Sequence, residues 1–201
     1  KLQKYINQLI PPQPDSIEEA ADNILTKAKA NKYMYKYVLW WLTYTYESSP
    51  YMGMDAVFVH LVEKYYLPPA HIDWLTQEQL NKIISRAYSI APNLIGQKAP
   101  DLQLEDSSLH PVSLYDIKAK YCLLVFWDPT CGHCMIEVPR MDSAYHASWK
   151  KDGVKMIGIR SDGTQEQWET FILQHHLNEW INLWDPENKS RFRQLYDVYS
   201  T

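Results

Sequence analysis

The sequence predicts an α + α/β chain, in which an N-terminal helical bundle precedes a sheet of parallel strands flanked by helices. Apolar residues recur at helical spacing through the first half of the chain. After Pro92, short apolar runs alternate with helical patterns, which is typical of parallel strands joined by crossover helices. A composition of 46% hydrophobic and 22% charged residues suits a globular chain of 201 residues.

Charge and cysteine content exclude several classes of protein. The formal net charge is −4, and no run of five or more Lys and Arg residues favours nucleic acid or anionic lipid. Three cysteines are too few for a disulfide scaffold or a four-cysteine zinc site. The longest apolar runs are too short to span a bilayer. The chain begins at Lys1 without a signal-peptide pattern, so we expect a mature fragment that has lost any targeting segment.

The first two predicted helices follow a proline-rich stretch. Pro11–Pro14 is typical of a stiff linker, and Ser16-Ile17-Glu18-Glu19 predicts a capping box that begins a helix. A second, highly aromatic helix is predicted from about Lys32 to Glu47, before Ser48-Ser49-Pro50. Its tyrosines are predicted to pack with their hydroxyls at the surface, with a peptide groove as the alternative: Tyr33, Tyr35, Tyr37, Tyr44 and Tyr46.

Two further helices complete the predicted bundle, which covers about residues 15–91. The third ends at Pro68-Pro69. The capping box Thr76-Gln77-Glu78-Gln79 begins the fourth, which ends near Pro92. The inward faces are predicted to be Met54, Val57, Phe58, Leu61, Val62 and Tyr65 on the third helix and Leu80, Ile83, Ile84 and Ala87 on the fourth.

The second half is predicted to begin near Asn93–Gln97, which gives domains at 1–94 and 95–201. Leu102–Leu104 alternates like a strand, and the apolar run Tyr121–Trp127 predicts a strand buried on both faces. The later elements are predicted in this order: a helix from Cys131 to about Lys150, a strand at Val154–Ile159, a helix capped by Thr164–Gln167, a strand around Ile181–Leu183 and a helix near Ser190–Val198. In the capped helix, Trp168, Phe171, Ile172 and His175 share one face.

A pair of cysteines, Cys131 and Cys134, stands at the predicted strand-to-helix turn. Free N–H groups and the helix dipole at that position favour an anion and lower a thiol pKa. Cys131 is therefore the predicted attacking thiolate and Cys134 the resolving thiol. His133 between them is a donor or cation that favours the thiolate. Half of a metal site and a vestigial pair are the alternatives.

Motifs around this pair resemble a known family. Gly96–Asp101 resembles the entry motif G-x-x-A-P-D, and Phe126-Trp127 precedes the C-G-H-C turn. Cys131, Cys134, Glu137 and Pro139 match the pattern C-x-x-C-x-x-E-x-P. From about Ile95 to Thr201 the chain is similar to the TlpA/ResA branch of thiol:disulfide oxidoreductases, which have a thioredoxin-like fold. The upstream bundle resembles, more loosely, a helical domain that precedes such domains in some bacterial envelope proteins.

The resemblance implies roles for the site and its surroundings. Glu137 would tune cysteine pKa values or shuttle a proton, with an ordinary surface carboxylate as the alternative. Val125 replaces the buried aspartate of thioredoxin proper, and Pro139 would kink its helix. The implied partners are protein thiols and disulfides with a membrane-linked electron donor, in the periplasm or cell envelope. No cofactor is expected beyond the Cys131–Cys134 dithiol, and a membrane anchor would lie outside this chain.

Some residues at the turn depart from the family. Thr130 stands where relatives carry tryptophan, and Asp128 is predicted to cap the turn rather than point at Cys131. Peroxiredoxins, which share the fold, place Thr three residues before the reactive cysteine; Asp128 holds that position, so we expect no peroxidase. The Gly-His dipeptide resembles protein disulfide isomerases, with potentials about −180 mV against about −270 mV for thioredoxin. Most relatives in this branch are reductants, so we expect a reductase.

The end of the chain resembles the family motif Y-x-V-x-x-T that precedes a cis-proline, the last two strands and the last helix. We therefore expect an incomplete thioredoxin-like sheet with Tyr121–Trp127 at an exposed edge. This edge would either self-associate or be covered by the bundle. Cys122 is predicted to be a small core residue, with His175 at the core edge and His176 in solvent. The alternative functions are a non-catalytic partner-binding protein and a thiol-based carrier of copper(I).

Overall fold

The structure, a computed structural model, describes residues 1–67 and 72–199, which form two compact units, Lys1–Ala99 and Pro100–Thr201. The described part of the first unit is helical. Its helices are α1 (Leu2–Leu9), α2 (Pro14–Ala28), α3 (Lys32–Glu47), α4 (Asp55–Tyr65) and α5 (Gln77–Ile90). Helix α3 has the predicted bounds, and α1 was not predicted because it buries only Ile6.

Two helices of this unit begin at a residue whose side chain caps the helix, and a third begins at a proline. Asn31 caps α3 by accepting the N–H groups of Tyr33 and Met34 at 3.0 and 3.1 Å. Thr76 forms the predicted capping box at α5. The box predicted at Ser16 is wrong, because α2 already begins at Pro14, whose fixed φ suits the first helical turn.

These caps lead to a matched pair of substitutions. We expect Thr76→Ala to lower the free energy of unfolding by about 1 kcal/mol, because the Gln79 N–H loses the Thr76 hydroxyl as its acceptor. Ser16→Ala should cost nothing measurable, since Ser16 lies inside α2 and alanine favours helix. Urea denaturation followed by circular dichroism compares the two, and equal losses would contradict the assignment of the helix starts.

The core of the first unit is built from α2, α3, α4 and α5. The predicted inward face of α4 is confirmed in full, from Met54 to Tyr65. On α5, Ala87 is buried, and Leu80, Ile83 and Ile84 pack partly buried against the same core. The predicted end of α4 at Pro68-Pro69 lies outside the described residues.

A carboxylate cluster joins α2 to α4. Asp22 accepts hydrogen bonds from Lys64 at 2.7 Å and from the Tyr65 hydroxyl at 2.6 Å, and His60 lies 3.1 Å away. Burial by itself would raise the pKa of Asp22, but the hydrogen bonds from Lys64, Tyr65 and His60 outweigh it and lower the pKa. The folded unit therefore favours the ionised form of Asp22.

We expect Asp22→Asn to cost about 1–3 kcal/mol at pH 6, because its charge-assisted hydrogen bonds weaken. A lowered pKa stabilises the fold above the unfolded value of about 3.9 and loses that contribution as pH falls through the folded value. The difference from wild type should therefore shrink at pH 3, as measured by urea denaturation. Glu19→Gln on the exposed side of α2 is the control, and a difference independent of pH would contradict the assignment.

The predicted aromatic packing of α3 is partly confirmed. Tyr33, Tyr37 and Tyr44 are exposed, as expected for surface hydroxyls. Tyr35 is half-buried with its ring 6.0 Å from that of Trp74, whereas Tyr46 is buried in the core. The exposed and buried tyrosines thus lie on different faces of α3.

The second unit contains a short hairpin and a three-stranded sheet. Its elements are β1 (Gln103–Glu105), β2 (Pro111–Ser113), β3 (Tyr121–Trp127), α6 (Cys134–Ala144), β4 (Val154–Arg160), α7 (Gln165–Gln174), β5 (Ile181–Leu183) and α8 (Phe192–Leu195). Strand β1 pairs antiparallel with β2, and the larger sheet has the order β3-β4-β5 with parallel pairing throughout. The predicted parallel sheet is confirmed.

Several details of this unit differ from expectation. Strand β2 was not predicted. Helix α8 is shorter than the expected Ser190–Val198, with left-handed residues beyond both of its ends, Arg191 and Asp197, each with φ 56°. Helix α6 passes at Tyr145 into a five-residue π-helical segment. The capping box of α7 at Thr164 is confirmed, as are the buried Trp168, Phe171 and Ile172. His175 is half-buried and His176 exposed, as predicted.

Strand β3 is not buried on both faces, contrary to the prediction. As expected, it lies at the edge of the described sheet and pairs only with β4; its first three residues are exposed. The expectation that Cys122 is a core residue is therefore wrong, since it lies in this exposed part of the strand. Burial increases along β3 to Trp127, which is fully buried. Self-association through this edge stays a prediction, which light scattering tests.

Candidate active site

The cysteine turn begins where β3 ends. Trp127 is buried, and its carbonyl accepts the N–H of Ser161 at 2.9 Å, which ties the end of β3 to the loop after β4. Pro129 is also buried, and the Cys131 N–H donates to the Asp128 carbonyl at 3.1 Å. These contacts hold Cys131 at the carboxyl edge of the parallel sheet, where ligands of such sheets commonly bind.

Asp128 caps this turn, as predicted. Its Oδ1 accepts the Thr130 N–H at 2.7 Å and the Thr130 hydroxyl at 2.8 Å. The same carboxylate oxygen thus holds both polar groups of Thr130. Asp128 therefore stabilises the turn through its own side chain, as in an Asx turn.

Helix α6 starts within the cysteine motif. The Cys131 carbonyl accepts the Met135 N–H at 3.0 Å, and the His133 carbonyl accepts the Glu137 N–H at 2.9 Å. Cys131 and Cys134 therefore lie at the amino end of an 11-residue helix, where backbone N–H groups lack helical acceptors. The positive end of the helix dipole at this position favours a thiolate.

The two thiols have different environments. Neither is in a disulfide, and the two lie near each other; Cys131 is partly exposed, and Cys134 is buried. Burial raises the pKa of Cys134, and its hydrogen bond to Cys131 and the charge of that residue raise the pKa further, while the Asp128 N–H lowers it. These effects together favour the protonated form of Cys134.

His133 and Glu137 both lie at the exposed start of α6. His133 occupies the N-cap position without a side-chain capping bond. The Glu137 Oε1 atom is 2.7 Å from Nη1 of Arg140, and its side chain is 52% exposed. The carboxylate is thus engaged with a neighbour on its own helix. Proton transfer by Glu137 and thiolate stabilisation by His133 stay predictions.

The loop between β4 and α7 forms a wall behind the cysteine turn, which the sequence analysis missed. Gly163 has φ +80°, and a Cβ atom built there would lie 2.8 Å from Cγ of Pro129. Arg193 holds the loop from the other side by donating to the Ser161 carbonyl at 2.8 Å and to Asp162 at 2.7 Å. The Asp162-Gly163 pair before the Thr164 cap predicts a turn. The sequence around this pair does not show that Gly163 contacts Pro129.

Aromatic residues fill the core beneath the site. The rings of Trp127 and Phe171 are 4.7 Å apart, and the Arg160 guanidinium lies 4.1 Å from the ring of Trp184. Cys134 belongs to the same buried cluster as Trp127 and Phe171, whereas Cys131 packs against it partly buried. Cys134 is therefore anchored in the core, while Cys131 remains partly exposed at its edge.

Metal and membrane features are not found in the described residues. Within residues 1–67 and 72–199, no three His, Cys, Asp or Glu side chains are grouped to hold a metal ion. The cysteine pair would therefore supply only two protein ligands there. In the same residues, no helix combines the length and apolar character needed to cross a membrane.

The curated relatives carry names of two kinds, thiol-disulfide oxidoreductase and peroxiredoxin. The chain is 34% identical over 87 residues to the thiol-disulfide oxidoreductase ResA of Oceanobacillus iheyensis, an alignment that covers 41% of this chain and 45% of that protein. It is 36% identical over 107 residues to the peroxiredoxin Bcp of Bacillus subtilis, covering 52% of this chain and 64% of that protein. The chain thus spans about half the length of the ResA proteins that it matches.

Solved structures show similarity in both halves of the chain. A domain of a possible thiol-disulfide isomerase from Cytophaga hutchinsonii has 35% identity and a TM-score of 0.50, covering 54% of this chain and 73% of that chain. A thioredoxin-like protein from Bacteroides caccae has 22% identity and a TM-score of 0.69, covering 92% of this chain and 66% of that chain. The second comparison shows the fold alone, and it extends into the helical unit.

The family assignment rests on the second unit. The model of the AhpC/TSA family matches residues 95–200, which is more than half of the chain. That stretch contains the parallel sheet, the cysteine turn and the loop behind it. The resemblance to thioredoxin-like thiol:disulfide oxidoreductases is confirmed, and the chain belongs to the AhpC/TSA family.

Proposed function

We propose that this protein is a thiol:disulfide oxidoreductase that exchanges disulfides with protein thiols through Cys131 and Cys134. The observation that carries the proposal is the asymmetry of the pair: Cys131 is partly exposed at a helix start, whereas Cys134 is buried, and burial raises its pKa. An exposed thiolate beside a protected thiol is the arrangement that disulfide exchange requires.

The reaction proceeds in two exchanges. The Cys131 thiolate attacks one sulfur of a substrate disulfide, so that a mixed disulfide forms and the other substrate sulfur leaves as a thiolate. Cys134 then loses its proton and attacks the Cys131 sulfur, which closes the Cys131–Cys134 disulfide and releases the second substrate thiolate. The substrate gains two electrons and, after protonation, two protons, and the cysteine pair is oxidised by two electrons.

The neighbouring residues support these steps in different ways. His133, as a cation or donor, stabilises the Cys131 thiolate before attack. Glu137 accepts the proton that Cys134 must lose, which requires its carboxylate to leave Arg140. If so, Arg140→Ala frees the carboxylate and speeds the second exchange, whereas Glu137→Gln slows that exchange without affecting the first.

Reduction of substrates is the proposed direction, with a membrane-linked dithiol as the electron donor. The proposed location is the periplasm or envelope of a bacterium, where protein disulfides form. The helical unit would select the partner or position the second unit. Support comes from the similarity to proteins named as thiol-disulfide oxidoreductases, which covers about half the length of each.

Insulin reduction coupled to a chemical dithiol tests this function. We expect catalysed precipitation of the insulin B chain, together with fast alkylation of Cys131 below the ordinary thiol pKa of about 8.5. A Cys131 that titrates like free cysteine and forms no disulfide at any redox poise would favour a scaffold role. Consumption of hydrogen peroxide without insulin reduction would favour a peroxidase, and copper(I) retained after purification without chelator would favour a carrier.

A further inference from the structure

A cavity of about 590 Å³ lies within the first unit, between α1 and the carboxyl end of α3. This volume falls in the range of about 300–1,000 Å³ that is typical of small-molecule sites. All of its lining residues lie between Ile6 and Met54, so the cavity belongs to the helical unit alone. No role in thiol chemistry is assigned to these residues.

The wall of the cavity is mainly apolar and carries no charge. Ile6, Ile17 and Met54 supply aliphatic surface from α1, α2 and the start of α4, and all three belong to the unit's core. No Asp, Glu, Lys or Arg is among the described lining residues. A charged ligand would lose its hydration here without gaining a counter-ion, which strongly disfavours its binding.

One polar side chain in the wall combines a buried ring with a hydroxyl that lines the cavity. Tyr46 is only 6% exposed as a residue, and its hydroxyl is not among the fully buried, unpartnered polar atoms of the described residues. Burial raises the pKa of Tyr46 to about 12, so the phenol is neutral and can donate or accept at ordinary pH. A ligand hydroxyl or carbonyl that bonds to this phenol would replace the water that otherwise hydrates it, so the contact would orient the ligand.

We propose that this cavity binds an uncharged, mainly apolar small molecule with a hydroxyl or carbonyl group that hydrogen-bonds to Tyr46. The apolar body of the ligand contacts Ile6, Ile17 and Met54. Asn7 and Thr45 are uncharged polar residues of the same wall. The site is distinct from the cysteine pair and does not depend on redox chemistry.

Binding of Nile red, a neutral dye with a carbonyl group, tests this site in the full chain. We expect saturable fluorescence enhancement with one dye per chain and displacement by 1-decanol. Tyr46→Phe keeps the ring but removes the hydroxyl, so the dissociation constant should rise about five-fold. Asn7→Trp should abolish binding, because an indole on this exposed position of α1 fills the cavity.

Tyr44→Phe is the matched control, because it makes the same change on α3 at an exposed position outside the cavity. It should leave the dissociation constant unchanged, and circular dichroism melting should show that all three variants fold. Absence of saturable binding would overturn the proposal. So would folded Tyr46→Phe and Asn7→Trp variants with wild-type affinity, or an equal loss in Tyr44→Phe, which would place the dye on the exposed aromatic face of α3.

Discussion

Replacing Cys131 with serine should lower the rate of insulin reduction by at least about 1,000-fold, because a hydroxyl cannot replace the attacking thiolate. Cys122→Ser is the matched control, since this third cysteine lies in the exposed part of β3. It should keep wild-type activity. Equal losses in the two variants, or catalysis that survives in Cys131→Ser, would contradict the assignment of the nucleophile.

The resolving cysteine should behave differently from the attacking one. In Cys134→Ser the first exchange still occurs, so multiple turnover should stop while a mixed disulfide with substrate accumulates on Cys131. Mass spectrometry of the quenched reaction identifies that adduct. An adduct on Cys134 in the complementary Cys131→Ser variant, formed at a similar rate, would mean that the buried thiol is equally accessible and would contradict the proposed order.

The largest effect expected outside the cysteines is at Gly163. A Cβ atom there lies 2.8 Å from Cγ of Pro129, and the φ of +80° is unfavourable for alanine. We expect Gly163→Ala to lower the free energy of unfolding by roughly 2–4 kcal/mol, from backbone strain and overlap together. Movement of Pro129 should also displace Cys131 and lower kcat/KM about ten- to a hundred-fold.

Two further variants separate the causes of this loss. Gly132→Ala has nothing within 4 Å of its added Cβ and no positive φ, so the unfolding free energy should hardly change. Pro129→Ala in the Gly163→Ala background removes the atom that collides, so part of the stability should return, as a double-mutant cycle measures. If Gly163→Ala is as stable as Gly132→Ala, the loop does not support the cysteine turn in the way described.

The sequence predicted correctly those helices and strands whose formation depends on residues close together in the chain. Helix α3, strand β5 and the capping boxes at Thr76 and Thr164 were predicted correctly, because helical periodicity and capping side chains act over a few residues. Ser16 shows the limit of such signals, since Pro14 two residues earlier already satisfies the helix start. When two possible helix starts lie within three residues of each other, the sequence pattern alone does not show which one the helix uses.

The features that were missed depend on residues distant in sequence. The burial of β3 is determined by its neighbours in the sheet, so the apolar run around Cys122 misled the prediction of a core residue. The contact between Gly163 and Pro129 joins segments more than thirty residues apart. The order of reactivity in the pair was predicted from the helix start, but the burial that distinguishes Cys134 from Cys131 required the packed core.

Redox titration of the intact protein tests the central claim most directly. The protein is equilibrated with mixtures of reduced and oxidised dithiothreitol, its remaining thiols are alkylated, and its peptides are identified by mass spectrometry. We predict a single reversible transition that links Cys131 to Cys134 with the loss of two hydrogens, while Cys122 is alkylated throughout. Alkylation of both Cys131 and Cys134 at every redox poise would contradict a redox-active pair.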